Sequence, residues 1–186
     1  MFKITGGVFR GTKLDRPPES LTRPTSTRTR EALFSCLFSL DYQMNDLTVI
    51  DGFAGSGIIG LECLSRGARF CTFVENNPIV QEILKANIAK LQMRKQTTVL
   101  STFKQVKKPA DFIFLDAPYF QKERNDPSYL QALKKLRPYI RMETLVVIET
   151  DKKEKPLLDF LEFLFEKNYG TAKLSFYKLS TLEKQL

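Results

Sequence analysis

Two stretches of this chain end an apolar run on a carboxylate, and both hold groups that can do chemistry. The first, residues 47–63, reads Leu-Thr-Val-Ile-Asp-Gly-Phe-Ala-Gly-Ser-Gly-Ile-Ile-Gly-Leu-Glu-Cys. A short β-branched run closes on Asp51, glycines follow, and an apolar helical pattern begins at once, which predicts strand, tight loop and helix. Gly55 and Gly57 let a ligand come close to the main chain, and the new helix points its unpaired N–H groups into the same gap. The Asp51 carboxylate would repel a pyrophosphate and suits a cation carrying an amino group and a sulfonium, such as S-adenosylmethionine. The spacing leaves a second ligand open. Gly55-x-Gly57-x-x-Gly60 also satisfies the dinucleotide fingerprint, and Glu75 lies 20 residues beyond Gly55, where a ribose-binding acid is expected.

The second stretch, Asp116-Ala117-Pro118-Tyr119, leaves the apolar run 112–115. A carboxylate, a main-chain carbonyl and an aromatic face in one small region suit a planar base bearing an exocyclic amine. The Asp116 carboxylate and the Ala117 carbonyl can each accept one N–H, aiming the nitrogen lone pair at a methyl donor, while Tyr119 stacks on the ring. No strong base is required, because a neutral thioether leaves and the nitrogen becomes cationic before it sheds its proton.

The elements that must position these groups alternate. Strands are predicted over 70–74, 97–100, 111–115 and 144–148, besides the one ending at Asp51. Helices are predicted over 57–66, from Asn77-Pro78 with Val80, Leu84, Ile88 and Leu91 inward, from Asp126-Pro127 to Leu136, and over 156–165 with Leu157, Leu158, Leu161 and Leu164 inward. A terminal antiparallel pair, 166–169 and 171–179, meets at Gly170. The expected fold is a Rossmann-like, doubly wound, mostly parallel α/β sheet of about seven strands with a C-terminal antiparallel strand. Ligands of such sheets bind outside the carboxyl ends of the strands, and Asp51, Glu75, Ser101 and Asp116 each follow one. Ahead of this unit, residues 2–14 read as a small basic hairpin around Gly6-Gly7 carrying Lys3, Arg10 and Lys13. A Pro, Ser and Thr linker leads to a helix with Leu33, Phe34, Leu37, Phe38 and Leu40 on the sheet, and Arg23, Arg28 and Arg30 cluster at its start. The expected division is 1–26 for hairpin and linker and 27–186 for the main domain.

The totals narrow the chemistry further. Lys and Arg number 29 against 21 Asp and Glu, a net charge of +8 that draws the protein to polyanions, nucleic acid first. No His is present, which excludes histidine triads and His-ligated metals. Cys36, Cys63 and Cys71 lack zinc-site spacing and are expected as reduced core thiols. No signal core or membrane span is read in the chain, so a cytoplasmic location, no membrane partner and no metal are expected, with a monomer as the assembly.

With these residues in view, the sequence resembles the class I S-adenosylmethionine-dependent methyltransferases. Asp51-x-Phe53-x-Gly55-x-Gly57 with Glu75 looks like their cofactor motifs, and Asp116-Ala117-Pro118-Tyr119 looks like their amino-methylating Asp-Pro-Pro-Tyr motif. Gly6-Gly7-x-Phe9-Arg10-Gly11, Arg23-Pro24-Thr25, Arg28-x-Arg30-Glu31-x-Leu33-Phe34 and Leu61-Glu62-x-Leu64-Ser65-Arg66-Gly67-Ala68 are similar to the RsmD-type guanine-N2 methyltransferases of small-subunit ribosomal RNA. The resemblance implies methyl transfer from S-adenosylmethionine to the N2 amine of one guanine. It implies a cofactor site of Asp51, Phe53, Ala54, Gly55, Ser56, Gly57, Glu75, Asn76, Ser101, Thr102 and Phe103. It also implies a reacting site of Asp116, Ala117, Pro118 and Tyr119 and contacts to RNA from Lys3, Arg10, Lys13, Arg23, Arg28 and Arg30. Two positions depart from the pattern. Ala117 stands where proline is usual, and Ser101-Thr102 where a carboxylate often follows the third strand. These departures keep a second reading open, a ribosome-assembly factor that binds RNA on a methyltransferase fold; the glycine spacing keeps a third, an NAD-dependent oxidoreductase.

Overall fold

The computed structural model describes residues 2–21, 27–117, 128–154 and 158–180. Seven strands form one sheet: β1 Thr48–Gly52, β2 Phe70–Val74, β3 Thr97–Leu100, β4 Ala110–Asp116, β5 Ile140–Asp151, β6 Leu161–Tyr169 and β7 Ala172–Leu179, in the order β3-β2-β1-β4-β5-β7-β6. The first five run parallel, and β7 is antiparallel to both of its neighbours. Side chains alternate across each strand, so each face carries its own core. On one face Val49, Phe73, Phe112, Phe114 and Val147 pack under α1 Thr27–Ser39, α2 Ile58–Ser65 and α3 Pro78–Lys90. On the other, Ile50, Val74, Ile113, Leu115 and Ile148 meet Tyr129, Ala132, Leu133 and Leu136 of α4 Ser128–Leu136.

Local signals explain several of these elements. Asn77 caps α3 by accepting the N–H groups of Ile79 and Val80, and Pro78 occupies the first helical position. Val80, Leu84, Ile88 and Leu91 are all buried, as their spacing predicts. Among the described residues, no helix is long and apolar enough to cross a membrane.

Three expectations need correction. The helix over 156–165 is not formed where the chain is described: Leu161 opens β6, which pairs with β7 from Leu161↔Leu179 to Tyr169↔Ala172. Leu164, expected inward, is 39% exposed. Leu158, Leu161 and Leu164 fit a helical period, but Leu161, Phe163 and Phe165 fit the period of a strand equally well, and pairing with β7 decides. Pro156 and Leu157 lie outside the described residues. In α1, Leu33, Phe34 and Leu37 are buried, whereas Phe38 is 81% exposed and Leu40, just past the helix end, is 45% exposed, so the apolar stripe is narrower and shorter than expected. β5 extends well beyond residues 144–148 at both ends.

The N-terminal segment leans on the main domain, held by a single bridge rather than a strand ladder. Lys3 and Lys13 form a single antiparallel bridge, and the residues between them close on the C-terminal end of α2. Val8 N–H donates to the Ser65 carbonyl at 2.8 Å, Phe9 N–H to Ser65 Oγ at 3.0 Å, and Ser65 Oγ to the Gly6 carbonyl at 2.7 Å. Gly7 has φ +78, and a Cβ there would lie 1.8 Å from the Ser65 carbonyl oxygen, so the glycine pair serves this contact as well as the turn. Ile4 and Leu14 join the core under α1 to α3.

Candidate functional site

At the carboxyl end of β1, Asp51 is 2% exposed and its Oδ2 accepts the Gly60 N–H at 2.8 Å, fastening the first turn of α2 to the strand end. Burial pushes this carboxyl up to about 8; the Gly60 N–H opposes the shift, and Asp116 and Glu75 add to it. A carboxyl held so far from its ordinary range gains most from a cation placed beside it.

The glycines between β1 and α2 separate into two kinds. A Cβ on Gly57 would lie 2.3 Å from Leu84 Cδ1 and one on Gly60 2.4 Å from Phe73 Cε1, so these two permit packing of α2 on α3 and on the sheet. Gly55, with φ +54, has nothing within 4 Å of a Cβ position, and there a ligand can approach the main chain. Ala54 and Ser56 on either side are buried. Phe53, itself at φ +61, sets its ring 5.1 Å from that of Phe103 and walls one side of the loop.

Glu75, after β2, is 8% exposed and ties two loops by their main chains: Oε2 accepts the Gly55 N–H at 2.9 Å and Oε1 the Asn77 N–H at 2.8 Å. Asn76 between them is exposed. After β3, the main-chain N–H groups of Ser101 and Thr102 donate to Gln105 Oε1 at 2.9 and 3.1 Å, and Thr102 Oγ1 accepts the Lys104 N–H at 3.3 Å. This is a capping box on the short turn Phe103–Gln105, legible in hindsight as Thr-x-x-Gln. Gln81 is a further residue that sequence reading missed: its Nε2 donates to the Glu75 carbonyl and, at 3.0 Å, to Ser101 Oγ, bridging the ends of β2 and β3.

The reacting end begins where β4 stops. Asp116 is half-buried and Ala117 is 5% exposed; Pro118 and Tyr119 lie outside the described residues. Strand register brings Asp116 opposite Glu149 of β5, a buried acid that sequence reading passed over inside an otherwise apolar strand. Asp51, Glu75, Ser101 and Asp116, which are distant in sequence, thus meet along one edge of the sheet.

The basic residues divide differently. Arg10, Lys13 and Arg28 are exposed, Lys3 is half-buried, and Arg23 lies outside the described residues. Arg30 cannot meet a phosphate, and its expected role is corrected: it is fully buried, with Nε 3.0 Å from Glu62 Oε2 and Nη2 donating to the Lys3 carbonyl at 2.8 Å. Burial lowers its pKa and Glu62 pulls it back up. Glu62 also takes the Thr5 N–H, the Thr5 hydroxyl and Arg66, so one buried carboxylate joins α1, α2 and the N-terminal segment. A second link is Asn87 of α3, fully buried. It accepts the Asp15 N–H at 2.8 Å and donates to the carbonyls of Asp15 at 2.9 Å and Ser56 at 3.1 Å.

The sequence profile of the family described as Conserved hypothetical protein 95 matches residues 2–178. The ribosomal RNA small subunit methyltransferase D of Haemophilus influenzae is 34% identical over 187 residues, spanning 95% of this chain and 93% of that protein. Its counterpart in Escherichia coli is 37% identical over 121 residues, spanning 63% and 60%. Among solved structures, a putative methyltransferase from Escherichia coli superposes with a TM-score of 0.77 at 27% identity over 97% of this chain and 98% of that one. A putative methylase from Haemophilus influenzae gives 0.72 at 30% identity over 96% and 98%.

Proposed function

We propose, from the premise that this chain belongs to the Conserved hypothetical protein 95 family, that of the RsmD-type methyltransferases, that it methylates the N2 amine of a guanine in small-subunit ribosomal RNA. S-adenosylmethionine is the methyl donor and supplies an electrophilic methyl group on a sulfonium. The observation that carries this reading is the single edge on which Asp51, Glu75 and Asp116 meet beside the open main chain at Gly55.

Each residue then has a task that its surroundings support. Asp51, buried and poorly ionised alone, receives the amino group of the donor's methionine end. Glu75 has about four acceptor sites, of which two main-chain N–H groups use half, and the rest accept ribose hydroxyls. Ser101 and Thr102, with Phe103 and Phe53 as an apolar wall, hold the adenine side, and Asn76 lies at its rim. Asp116 and the Ala117 carbonyl accept the two N–H groups of the guanine amine and so align its lone pair. Pro118 and Tyr119 complete that grip in this reading, with Tyr119 stacked on the base. Residues 1–26 act as the RNA-facing extension of the domain 27–186, with Lys3, Arg10, Lys13, Arg23 and Arg28 on phosphates, and the protein works as a cytoplasmic monomer. The test is to map methylated guanines in small subunits from cells with and without this protein. One N2-methylguanine that disappears with the protein supports the reading, and an unchanged map ends it.

A further inference from the structure

We propose that Glu149 reads the acceptor base from the side away from the methyl donor, accepting the N1–H of guanine and thereby deciding which purine the site takes. This rests on the guanine-N2 reading above and deepens it.

The placement follows from strand order and register. Asp116 pairs with Glu149 across β4 and β5, and paired residues of parallel strands present their side chains on the same face. Asp51 pairs with Phe114, two residues before Asp116, so Asp51, Asp116 and Glu149 share that face. The order β2-β1-β4-β5 then fixes a sequence of roles along the edge. The open glycine loop and Glu75 belong to β1 and β2, Asp116 comes next, and Glu149 lies beyond it, about one strand spacing (~4.8 Å) further on. An amine held at Asp116 has the methyl donor on its β1 side, so the ring that carries the amine extends toward β5. Glu149 is 5% exposed, and in such surroundings an acceptor matched or mismatched to a base edge counts for more than it would in water.

The chemistry of the edge then discriminates. Guanine presents two adjacent donors there, the N2 amine and N1–H. A carboxylate accepts and, when ionised, cannot donate, so Asp116 and Glu149 side by side match a donor–donor edge. Adenine presents an acceptor at N1, and 2-aminopurine keeps the N2 amine but also has an acceptor at N1. Either would set a lone pair against the Glu149 carboxylate, the kind of buried mismatch that a polar site rejects strongly.

The test uses the full-length protein and reconstituted small subunits in which the methylated position carries either guanine or 2-aminopurine. Glu149→Gln keeps the shape and offers an N–H to N1. It should lower kcat/KM on guanine and raise it on 2-aminopurine, so that the preference for guanine falls about ten- to a hundredfold, the worth of one charge-assisted hydrogen bond. Thermal unfolding and S-adenosylmethionine affinity near wild type show that the change is one of selection. An unchanged preference, or equal loss on both bases, overturns the proposal. If Glu149→Gln does not fold, Glu149→Asp takes its place: the withdrawn carboxylate should cost more on guanine than on 2-aminopurine, and parity is the overturning result. Wild-type protein that fails on guanine altogether instead removes the guanine-N2 reading, an outcome separate from either.

Discussion

Glu62 and Glu75 are both buried glutamates that hold separate segments of the chain together, yet they finish in different states. Glu62, in the middle of α2, takes Thr5, Arg30 and Arg66, two of them cationic, and its carboxylate is consumed by the fold. Glu75, at the end of β2, takes two main-chain N–H groups, which set the glycine loop and the start of α3 but leave acceptor capacity on each oxygen. The same side chain is a clasp with its charge paired in one place and a clasp with spare acceptor capacity in the other. What separates them is the supply of guanidinium groups: a charge that is paired with charge is closed, and one satisfied by amides stays receptive.

The sharpest way to break the comparison is to remove the clasp. Glu62→Ala leaves the Arg30 guanidinium buried without its carboxylate and should cost about 3–5 kcal/mol in denaturant unfolding, as loss of one member of a buried pair does. The folded fraction should still bind S-adenosylmethionine normally, and a stability within 1 kcal/mol (~) of wild type would show that the pair is not closed. On the proposed reading, Asp116→Ala should act on the reaction alone. The methylation rate should fall about 10²-fold or more in single-turnover assays, while affinity for cofactor and for subunits stays near wild type. Parallel loss of binding and rate would assign Asp116 a different task.

Glu75→Ala should weaken S-adenosylmethionine binding by about 1.5–3 kcal/mol in calorimetry while unfolding far less readily than Glu62→Ala. Equal affinity would mean that its remaining acceptor sites are not used. The last test concerns Asp51. The folded protein holds this proton more tightly than the unfolded chain does, since burial raises the carboxyl to about 8. Its contribution to stability is therefore fully present below the ordinary carboxylate range and is lost as pH rises through about 8. Asp51→Asn should gain stability relative to wild type as pH rises from the ordinary carboxylate range to about 8 and then level off, read from melting temperature against pH, and it should bind the cofactor less well. A difference that does not vary with pH would place the titration elsewhere.

Much of this was legible because the decisive signals are local. The cap at Asn77-Pro78, the run into Asp51 and the run into Asp116 each carry their structure within a few residues. The second half of β6 was legible as one arm of the terminal pair that meets at Gly170, but its first half was not, because residues 158–165 satisfy two periods at once and the choice is made by β7, whose pairing no local window contains. Arg30 was misread for a different reason. A charge says nothing about which way a side chain faces, but its position does: Arg30 lies three, four and seven residues before Leu33, Phe34 and Leu37, on the stripe that α1 buries. Glu149 was hidden in the same way, by an apolar strand whose register with β4 only the assembled sheet reveals.

The Asn87 amide joins the main chain of Asp15 to that of Ser56, and so two segments 41 positions apart in the chain cannot loosen independently. Release of the glycine loop takes the Ser56 carbonyl away from the Asn87 amide, and release of Asp15 leaves the same buried amide without a donor to its oxygen and without one of its acceptors. The two therefore behave as one cooperative unit of local opening, and amide exchange at Asp15 reports on a loop to which it is not adjacent.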